Sequence, residues 1–583
     1  MATNAEIAGR FEEFADLLEA DGVEYKPRAY RRAAENVRSH PTPIADYVAD
    51  GDREAIEGIE GVGDAIASKI VEYVETGGIE ELEELRAALP IDIADITRIE
   101  GVGPKTAGKL YRELGIETLD DLEVAAEAGE IQEVTGFGPK TEQNIRDNLE
   151  FAREVGQRHL LGEGRPLADD VLAYLEDLET VERCEVAGSI RRWRETIGDV
   201  DVLAATDSPE AVVEAFVDWG SVDSEIESGP AKASVRIGEI RVDLRVVAPE
   251  EFGSALQYFT GSKDHNVRLR NYAIDRGMKL NEYGAFDVSD LEDSQEGQRV
   301  GDRVAGDTEE GMYEALGLPA IPPELREDRG EIAAAETDDL PDLLTRDDIR
   351  GDLHTHTEWS DGNDTVAEMV AAAAERGYEF FGIADHAEGP GVVGGMGLSN
   401  EEILEQVDVV REVDADTEIE VFAGIEANVD ASGEIALSED VIDALDVVVA
   451  SPHSGLDQDA ETATERLVRA IENPAVDVLG HPSGRLLNER SGLAFDAAEL
   501  GRAAAEHGTA LEVNSNPRRL DLWGSAVQAA IEEGAPIAVN TDAHRTTTLE
   551  FVRWGVHTAR RGWAEPADVI NAWDREELRA FLH

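Results

Sequence analysis

The strongest constraint on the fold is a pattern that repeats after residue 350. Short apolar runs alternate seven times with helix-like stretches such as 365–376, 461–472 and 500–507. A metal-binding or amide side chain follows each run: His354 and His356 after 349–353, Asp385 and His386 after 380–384, Glu426 after 421–425, His453 after 447–450, His481 after 476–479, Asn514 after 510–513, and Asp542 and His544 after 536–539. Such alternation indicates parallel β/α winding. Since parallel barrels place their chemistry at the carboxyl ends of the strands, the sequence predicts a closed or nearly closed barrel with a site on one rim.

The side chains at these strand ends are typical metal ligands. Imidazole and carboxylate groups without thiolate suit Zn, Mn, Fe or Co. Six histidines with several carboxylates exceed one tetrahedral shell, so we expect a cluster of two or three ions. Such clusters bind phosphate and activate water. The alternative is that the histidines end strands without binding a metal.

This array closely resembles the PHP (polymerase and histidinol phosphatase) family over residues 351–583. The resemblance implies a distorted (β/α)7 barrel that holds two or three divalent ions, Mn²⁺ or Zn²⁺. It implies three ligand groups: His354, His356, Glu426 and Asp542 for one ion; Glu426, His453 and His481 for a second; Asp361, His386 and His544 for a third. Asp385, Asn514 and His507 are weaker candidates that could equally be supporting or structural residues.

The charge of the chain is extreme, with 127 acidic and 52 basic residues and a formal net charge of -75. Taken alone this argues against nucleic acid as a partner, because phosphate binders normally need a basic surface. However, the acidic residues are spread along every segment and lysine is scarce, as in the cytoplasmic proteins of halophiles. In molar salt the screening length falls to about 3 Å, so contact geometry outweighs net charge. We therefore expect the protein to lose structure in low salt. Net charge does not decide whether nucleic acid is a partner.

Two further features of the sequence indicate where in the cell the protein is located. The single Cys184 excludes intramolecular disulfides and cysteine-based zinc sites. The chain has no signal peptide and no apolar run of about eighteen residues. We expect a cytosolic monomer that does not bind membranes.

A second metal site is predicted in the N-terminal half. Asp199 and Asp201 alternate in a strand-like run, so their side chains share one face, and Asp243 lies in a similar run that could pair with it. Three carboxylates on one sheet face are costly unless cations bind them. Oxygen ligands suit Mg²⁺ or Mn²⁺, held as the pair that promotes in-line phosphoryl transfer. The alternative for such a pattern in an acidic protein is a solvated face.

The string from Gly188 to Asp201 resembles the nucleotidyltransferase superfamily and, within it, the family X DNA polymerases over residues 1–325. The resemblance implies that Asp199, Asp201 and Asp243 are the catalytic metal ligands. Ser189 and Arg192 are placed to hold the phosphates of an incoming nucleotide. The full set of implied nucleotide-binding residues is Gly188, Ser189, Arg192, Tyr258, Phe259, Gly261, Asn266 and Arg270.

A glycine-paired motif occurs three times upstream, at 59–63, 99–105 and 134–140. Paired glycines permit a tight hairpin whose free amides face outward at a helix N-terminus, which is a phosphate-binding arrangement. The segments resemble the helix-hairpin-helix motif, although a single copy could be a plain αα-corner. The implied DNA-binding residues are Gly61, Gly63, Gly101, Gly103, Lys105, Gly136, Gly138 and Lys140.

Lys69 stands where some family X relatives form a Schiff base at a cleaved abasic site. Tyr30 and Lys26 are expected to flank a 5'-phosphate there. The alternative is a solvated lysine, and Ala65 replaces a basic residue of lyase-active relatives.

The predicted architecture is multidomain. It comprises a helical 5'-phosphate-binding domain (1–85), a helical DNA-binding domain (86–150), an α+β palm (151–255), a thumb (256–325), an acidic linker (326–348) and the PHP barrel (349–583). We expect a polymerase that fills gapped or nicked DNA with dNTPs during repair, and a barrel that acts as a 3'-5' exonuclease or otherwise processes 3' ends. The alternatives are that one half has lost its chemistry and only binds DNA, or that the barrel is a small-molecule phosphoesterase beside a non-catalytic N-terminal half.

Overall fold

The computed structural model describes residues 4–582 except 24–25, 39, 41–43, 60, 98, 100–101, 140, 144, 147–148, 150–157, 292–296 and 390–396. Two predicted DNA-binding residues, Gly101 and Lys140, lie outside the described residues. The chain forms two compact units, Met1–Gln157 and Arg158–His583. Within the described ranges, no helix has the length and apolar character needed to cross a membrane.

The first unit is helical. Its helices include Asn4–Ala20, Lys26–Arg38, Ile44–Asp50, Arg53–Glu57, Asp64–Thr76, Glu80–Ala88, Ile93–Ile96, Pro104–Leu114 and Leu119–Ala128, followed by a 3-10 turn at Ile131–Glu133. Ile7, Phe11, Phe14 and Leu18 recur every three or four residues along the first helix and are all buried. This spacing places them on one face, and burying each such side chain contributes about 1.5–3 kcal/mol.

The second unit begins with the palm region. β1 (His159–Leu160) pairs antiparallel with β3 (Thr196–Ile197) in a small two-stranded sheet. The main sheet has the order β2-β4-β7-β6-β5, formed by β2 (Arg183–Val186), β4 (Val200–Ala205), β5 (Ser224–Gly229), β6 (Lys232–Ile237) and β7 (Ile240–Val247). The helices Leu161–Glu176 and Pro209–Val217 accompany this sheet. In β7, residues 240, 242, 244 and 246 are buried in the core, so Asp243 points to the opposite face.

The thumb region follows with the helices Phe252–Thr260, Lys263–Ile274 and Glu309–Glu314. Its sheet consists of β8 (Met278–Asn281), β9 (Gly284–Asp287) and β10 (Asp302–Ala305). The segment predicted as a linker, 326–348, contains the helix Glu331–Thr337 and fully buried polar groups. Arg326 donates to Glu309 at 2.5 Å, and Glu331 pairs with His265 at 2.6 Å. The acidic residues of this segment are therefore partly used for internal pairing.

The predicted barrel is confirmed. Seven parallel strands follow in chain order: β11 (Gly351–Asp352), β12 (Phe380–Ile383), β13 (Glu420–Asn428), β14 (Val447–Ser451), β15 (Val478–Leu479), β16 (Ala510–Asn514) and β17 (Ile537–Asn540). A parallel bridge between Thr355 and Ala543, beyond the ends of β11 and β17, brings the first and last strands together. The barrel is thus nearly closed on the rim that carries the histidines.

The helices around the barrel lie close to their predicted positions. The predicted stretches 365–376, 461–472 and 500–507 correspond to the helices Val366–Glu375, Ala460–Ile471 and Ala497–His507. Other helices are Asn400–Ala415, Glu439–Ile442, Gly524–Glu532, Val552–Arg561 and Arg575–Phe581. The inside of the barrel is filled by Phe380, Phe422, Val447, Val449 and Val478. An apolar interior of this kind leaves polar chemistry to the loops on the rim.

Candidate metal centres and nucleotide site

The structure brings all nine predicted barrel ligands together at the carboxyl ends of the strands. Ligand atoms within 4.8 Å of one another form three groups: His354, His356 and Asp542; His386, Glu426 and His453; and His356, Asp361, His386 and His544. His481 joins the second group, with its Nε2 3.0 Å from Oε1 of Glu426. His356 and His386 each belong to two groups, which the predicted division into three ligand sets did not include.

Several buried atoms of this cluster would be satisfied better by a metal ion than by the protein groups around them. Nε2 of His354, both ring nitrogens of His356 and Oε2 of Glu426 are buried and make no hydrogen bond of normal geometry with the described residues. Buried polar atoms are normally hydrogen-bonded, so each such orphan needs an explanation. Nitrogen and carboxylate oxygen atoms converging in this way are the donor set of Zn²⁺ or Mn²⁺.

Neighbouring groups fix the orientation of three imidazole rings. Nδ1 of His354 lies 2.8 Å from Glu512, and Nδ1 of His453 lies 2.6 Å from Asn428. Nδ1 of His544 lies 2.9 Å from the carbonyl of Asp542. Because Nδ1 is occupied in each case, Nε2 is directed toward the carboxylates of the cluster. Partners of this kind hold a metal-binding imidazole in the correct tautomer and increase its basicity.

Opposite charges balance in the cluster. Burial opposes ionisation, but contact with Glu426 and Asp361 outweighs it and raises the pKa of His386 to about 11. Burial is likewise outweighed by Asp361 and Asp542, which raise the pKa of His544 to about 9. The neighbouring histidines overcome the same burial at Glu426 and hold its pKa well below the usual range. The carboxylates are therefore stabilised as anions by the imidazoles around them.

The weaker barrel candidates have different roles. Asp385 accepts hydrogen bonds from Thr357 and Gln406, so it anchors the loop that follows the first strand. Asn514 donates to Oδ2 of Asp542 at 3.0 Å and supports that ligand. His507 ends the helix Ala497–His507, is exposed and belongs to none of the three groups.

Sequence reasoning missed three residues near the cluster: Glu512, Asn428 and Arg519. Glu512 lies two residues before Asn514 on the same strand, and Asn428 two residues after Glu426. That spacing places each pair on one strand face, which was an available signal. Arg519 lies in the loop after β16 with Nε 3.7 Å from Oδ2 of Asp542, and no periodicity indicated it.

The three predicted palm carboxylates also converge. Asp199, Asp201 and Asp243 each place an oxygen within 4.8 Å of the others. The cause is register, because Asp201 pairs directly with Asp243 across the parallel strands β4 and β7. Burial, and then repulsion from Asp199 and Asp243, raises the pKa of Asp201 to about 7. Burial and Asp243 also raise the pKa of Asp199. Such a triad is costly when ionised and fits oxygen-preferring divalent ions.

Gly188 makes room for this triad. Its φ of +62° lies in the left-handed region, and a Cβ atom there would sit 2.1 Å from Oδ2 of Asp201. Any side chain at this position would displace the carboxylate. The backbone of the helix Gly188–Arg191, which carries half-buried Ser189, therefore approaches the triad closely.

The other predicted nucleotide residues lie in or beside the helix Phe252–Thr260. The Arg192 guanidinium donates to the carbonyl of Thr260 and, at 3.1 Å, to Glu327, close to the backbone of Gly261. The Tyr258 and Phe259 rings meet edge to face with centroids 5.1 Å apart. Asn266 donates to the Tyr258 carbonyl at 2.7 Å, and the exposed Arg270 donates to the Asn266 carbonyl at 3.3 Å.

Two glycine hairpins of the N-terminal unit end at helix N-termini. Gly63 is the N-cap of the helix Asp64–Thr76, and Gly103 is the N-cap of the helix Pro104–Leu114. In the third hairpin, Gly136 has a φ of +91° and the carbonyl of Gly138 accepts from the amide of Glu142. Gly61 has a φ of +78°, and Lys105 is exposed. The free amides at these N-termini suit a phosphate.

The predicted lyase residues gather around one carboxylate. Nζ of Lys69 lies 2.6 Å from Oε2 of Glu81, and Nζ of Lys26 lies 3.8 Å from Oε1. Burial, and then the Glu81 charge, raises the pKa of the Tyr30 hydroxyl to about 12. The two ammonium groups thus share an anion that sequence reasoning did not identify.

Models of known protein families match several parts of the chain. A helix-hairpin-helix domain model matches residues 2–79, and a SAM-like helix-hairpin-helix tandem model matches 54–115 and 93–150. A DNA polymerase beta thumb model matches 255–327, and a PHP domain model matches 352–516. The chain therefore combines helix-hairpin-helix elements, a polymerase thumb and a PHP barrel.

Individual relatives cover both halves. The chain is 33% identical to the DNA polymerase/3'-5' exonuclease PolX of Bacillus subtilis over 562 residues, which are 96% of this chain and 95% of that protein. It is 27% identical to DNA polymerase lambda of Rattus norvegicus over 347 residues, 56% of each protein. It is 32% identical to a probable phosphatase of Caldanaerobacter subterraneus over 208 residues, 33% of this chain and 75% of that protein. The chain belongs to the family X DNA polymerases with a C-terminal PHP domain.

Proposed function

We propose that this protein is a DNA-directed DNA polymerase that fills short gaps in DNA, and that its barrel is a metal-dependent 3'-5' exonuclease. The observation that carries the proposal is that one chain contains two separate clusters of side chains that could hold metal ions: the palm carboxylates and the barrel cluster. Its similarity to PolX of Bacillus subtilis along almost the whole chain supports both activities.

In the palm, Asp199, Asp201 and Asp243 would hold Mg²⁺ or Mn²⁺. When bound, such a pair of ions lowers the pKa of a primer 3'-hydroxyl and neutralises the leaving pyrophosphate. Arg192 would bind the triphosphate with Ser189, and the backbone near Gly261 would approach the sugar. Tyr258, Phe259, Asn266 and Arg270 would contact the sugar and the nascent pair. The helix-hairpin-helix segments would bind the DNA backbone through their free amides.

In the barrel, the nine clustered ligands would hold two or three ions, Mn²⁺ or Zn²⁺. Bound there, the ions supply an activated water and neutralise a phosphodiester. Glu512 and Asn428 would keep His354 and His453 in the binding tautomer. Arg519 is placed beside Asp542 and would contact the phosphate of the terminal nucleotide.

Primer extension on a gapped duplex with Mn²⁺ tests the assignment. The double variant Asp199→Ala plus Asp201→Ala should lose synthesis and keep shortening of a 3' end, whereas His354→Ala should do the reverse. Continued synthesis by the palm variant would refute the polymerase site. A barrel that hydrolyses a small phosphate monoester but leaves DNA ends intact would favour the phosphoesterase alternative.

These assays belong in molar salt, since the composition predicts a halophilic protein. The formal net charge is -75, so the acidic residues repel one another. This repulsion reaches about 10 Å at 0.1 M salt but only about 3 Å at 1 M salt. Circular dichroism should therefore show unfolding on transfer to dilute buffer. Full stability there would contradict the halophilic interpretation.

A second activity, cleavage of a 5'-deoxyribose phosphate by Lys69, is favoured by the cluster around Glu81. Two ammonium groups already hold one anion there, and a 5'-phosphate would take the same place. Borohydride should trap the wild-type protein on an incised abasic duplex. Lys69→Arg should abolish the crosslink, and the exposed Lys105→Arg should not. A crosslink that persists without Lys69 would end the proposal.

A further inference from the structure

The palm turn that carries Arg192 packs directly on the barrel helix Val552–Arg561. The Trp193 ring lies parallel to the His557 ring, with centroids 3.4 Å apart and an interplanar angle of 5°. Trp554 of the same helix meets Trp193 edge to face at 5.7 Å. Trp193 and His557, which are far apart in the sequence, therefore form an aromatic stack between the palm and the barrel.

The backbone of this turn depends on that packing. Trp193 has a φ of +53°, in the left-handed region that a bulky L-residue rarely adopts. That conformation costs about 1–2 kcal/mol, so the surroundings must stabilise it. Two guanidinium groups contribute, since Arg165 and Arg553 lie 5.0 and 5.7 Å from the Trp193 ring. Arg553 belongs to the barrel helix, so the barrel supplies part of this stabilisation.

Arg192 itself is bonded to the end of the same helix. Nη1 of Arg561 donates to the Arg192 carbonyl at 2.6 Å and to Oε1 of Glu327 at 3.1 Å. The same Glu327 oxygen accepts from Nε of Arg192 at 3.1 Å. Arg561 is only 5% exposed and Glu327 12%, so these charges are shielded from solvent. Both the main chain and the side chain of Arg192 are thus fixed through Arg561.

The helix also holds the C-terminal end of the thumb region. Glu324 is buried and accepts from Nε of Arg560 at 2.7 Å, and it lies 2.8 Å from Nδ1 of His557. Arg329 donates to the carbonyl of Arg561. Removing one partner of a buried ion pair costs about 3–5 kcal/mol, so these contacts are strong determinants of local geometry.

We propose that the barrel helix Val552–Arg561 is a built-in part of the nucleotide site, with Arg561 and His557 as positioning residues for Arg192. The inference rests on the proposed role of Arg192 as a triphosphate ligand. Without Arg561, the Arg192 main chain loses a hydrogen bond and Glu327 loses one of its three arginine partners, which are Arg192, Arg194 and Arg561. The Arg192 guanidinium is then held less firmly. Nucleotide binding weakens, while the metal triad on β4 and β7 is untouched.

Steady-state gap filling with varied dNTP concentration tests this in the full-length protein. Arg561→Ala should raise KM for dNTP roughly tenfold, with kcat changed less than about threefold. Mn²⁺-dependent 3' exonuclease activity should stay at the wild-type level. Arg561→Lys should raise KM less than Arg561→Ala, because lysine restores a positive charge and one donor but not the paired N–H groups of a guanidinium. His557→Ala, which removes the stack, should raise KM more than His557→Phe, which keeps an aromatic ring.

Two controls make the result decisive. Arg502→Ala removes an exposed barrel arginine that pairs with Glu533 and should change neither activity. His354→Ala should abolish exonuclease activity and leave KM for dNTP unchanged, because the helix stays in place. An unchanged KM in Arg561→Ala would overturn the inference. So would a parallel fall of synthesis and exonuclease activity in all the helix variants, which would indicate general destabilisation.

Failure of the underlying proposal gives different results. If Arg192→Ala has a normal KM while Asp201→Asn has no synthesis, the role assigned to Arg192 is wrong but the polymerase site stands. If Asp201→Asn still extends primers, the polymerase site is wrong. Equilibrium binding of dNTP to the protein on gapped DNA with Ca²⁺ should show the same roughly tenfold weakening for Arg561→Ala, independently of turnover.

Discussion

The palm and the barrel both concentrate carboxylates, but they stabilise that charge in opposite ways. In the palm, three carboxylates face one another and the pKa of Asp201 rises to about 7, through burial and then repulsion from its neighbours. In the barrel, imidazoles surround the carboxylates and hold the pKa of Asp542 well below the usual range despite its burial. The palm triad therefore needs cations to ionise fully, whereas the barrel cluster is charge-balanced by its own residues.

This difference suggests different kinds of metal binding. The palm triad would gain most from added divalent ions, because they would relieve the repulsion between its carboxylates. A preformed cluster with oriented imidazoles favours resident ions. The predictions below test this contrast.

The largest expected effect is the loss of synthesis in Asp201→Asn. The substitution removes one of the three carboxylates that would hold the divalent ions, and we expect gap filling to fall by at least about a thousandfold. Exonuclease activity should not change. Asp207→Asn alters an exposed residue just beyond β4 and serves as the matched control. Substantial synthesis by Asp201→Asn would place the catalytic metals elsewhere.

Glu512→Gln should impair the barrel centre and leave the palm centre unchanged. The amide cannot anchor Nδ1 of His354 as a carboxylate does, so metal affinity and exonuclease activity should fall about 10- to 100-fold. Gap filling should be unaffected. Titration with Mn²⁺ followed by exonuclease assay measures both effects, with exposed Glu499→Gln as control. Wild-type metal affinity in Glu512→Gln would show that the cluster does not depend on its supporting carboxylate.

Arg519→Ala should affect only DNA handling by the barrel. The loss of one charged contact to phosphate corresponds to a factor of about ten in KM for a single-stranded DNA end. The adjacent Arg518, which is half exposed and pairs with Glu489, provides a matched Arg→Ala control. Equal effects of the two substitutions would mean that Arg519 contributes only general positive charge.

The smallest effect is on stability, and its sign tests the repulsion within the palm triad. Asp201 binds its proton more tightly when folded, so the metal-free protein loses stability as pH rises from about 4 to about 7. Asp201→Asn lacks this penalty. With chelator at about pH 8 the variant should be more stable than wild type, by on the order of 2–4 kcal/mol, and this gain should vanish near pH 4. Thermal melts at both pH values measure it, and a less stable variant at pH 8 would contradict the repulsion argument.

The sequence predicted most of the clustered candidate metal ligands because strand geometry is regular. Asp199, Asp201 and Asp243 follow from alternation in two runs, and the predicted barrel ligands follow from the ends of six of the seven runs, except Asp361, which was implied by the resemblance to the PHP family. The sharing of His356 and His386 between groups depends on distances between loops, which spacing does not encode. Arg519 lies in an irregular loop, so no period pointed to it.

Contacts between distant segments were the least predictable. The stack of Trp193 on His557 joins residues with no related pattern. The acidic composition of 326–348 indicated a linker, yet Glu331 is buried there against His265. A charged residue is expected to be exposed only when it has no partner of opposite charge in the interior. Whether such a partner is present depends on the tertiary fold.

The pairing of Glu324 and Glu327 with arginines of one barrel helix has a mechanical consequence. Both residues lie where the thumb region ends, and both bind the arginines that close the helix Val552–Arg561. A swing of the thumb must either carry the barrel with it as one rigid body or break both ion pairs. Because breaking two shielded ion pairs is costly, we expect this end of the thumb region to stay attached to the barrel helix.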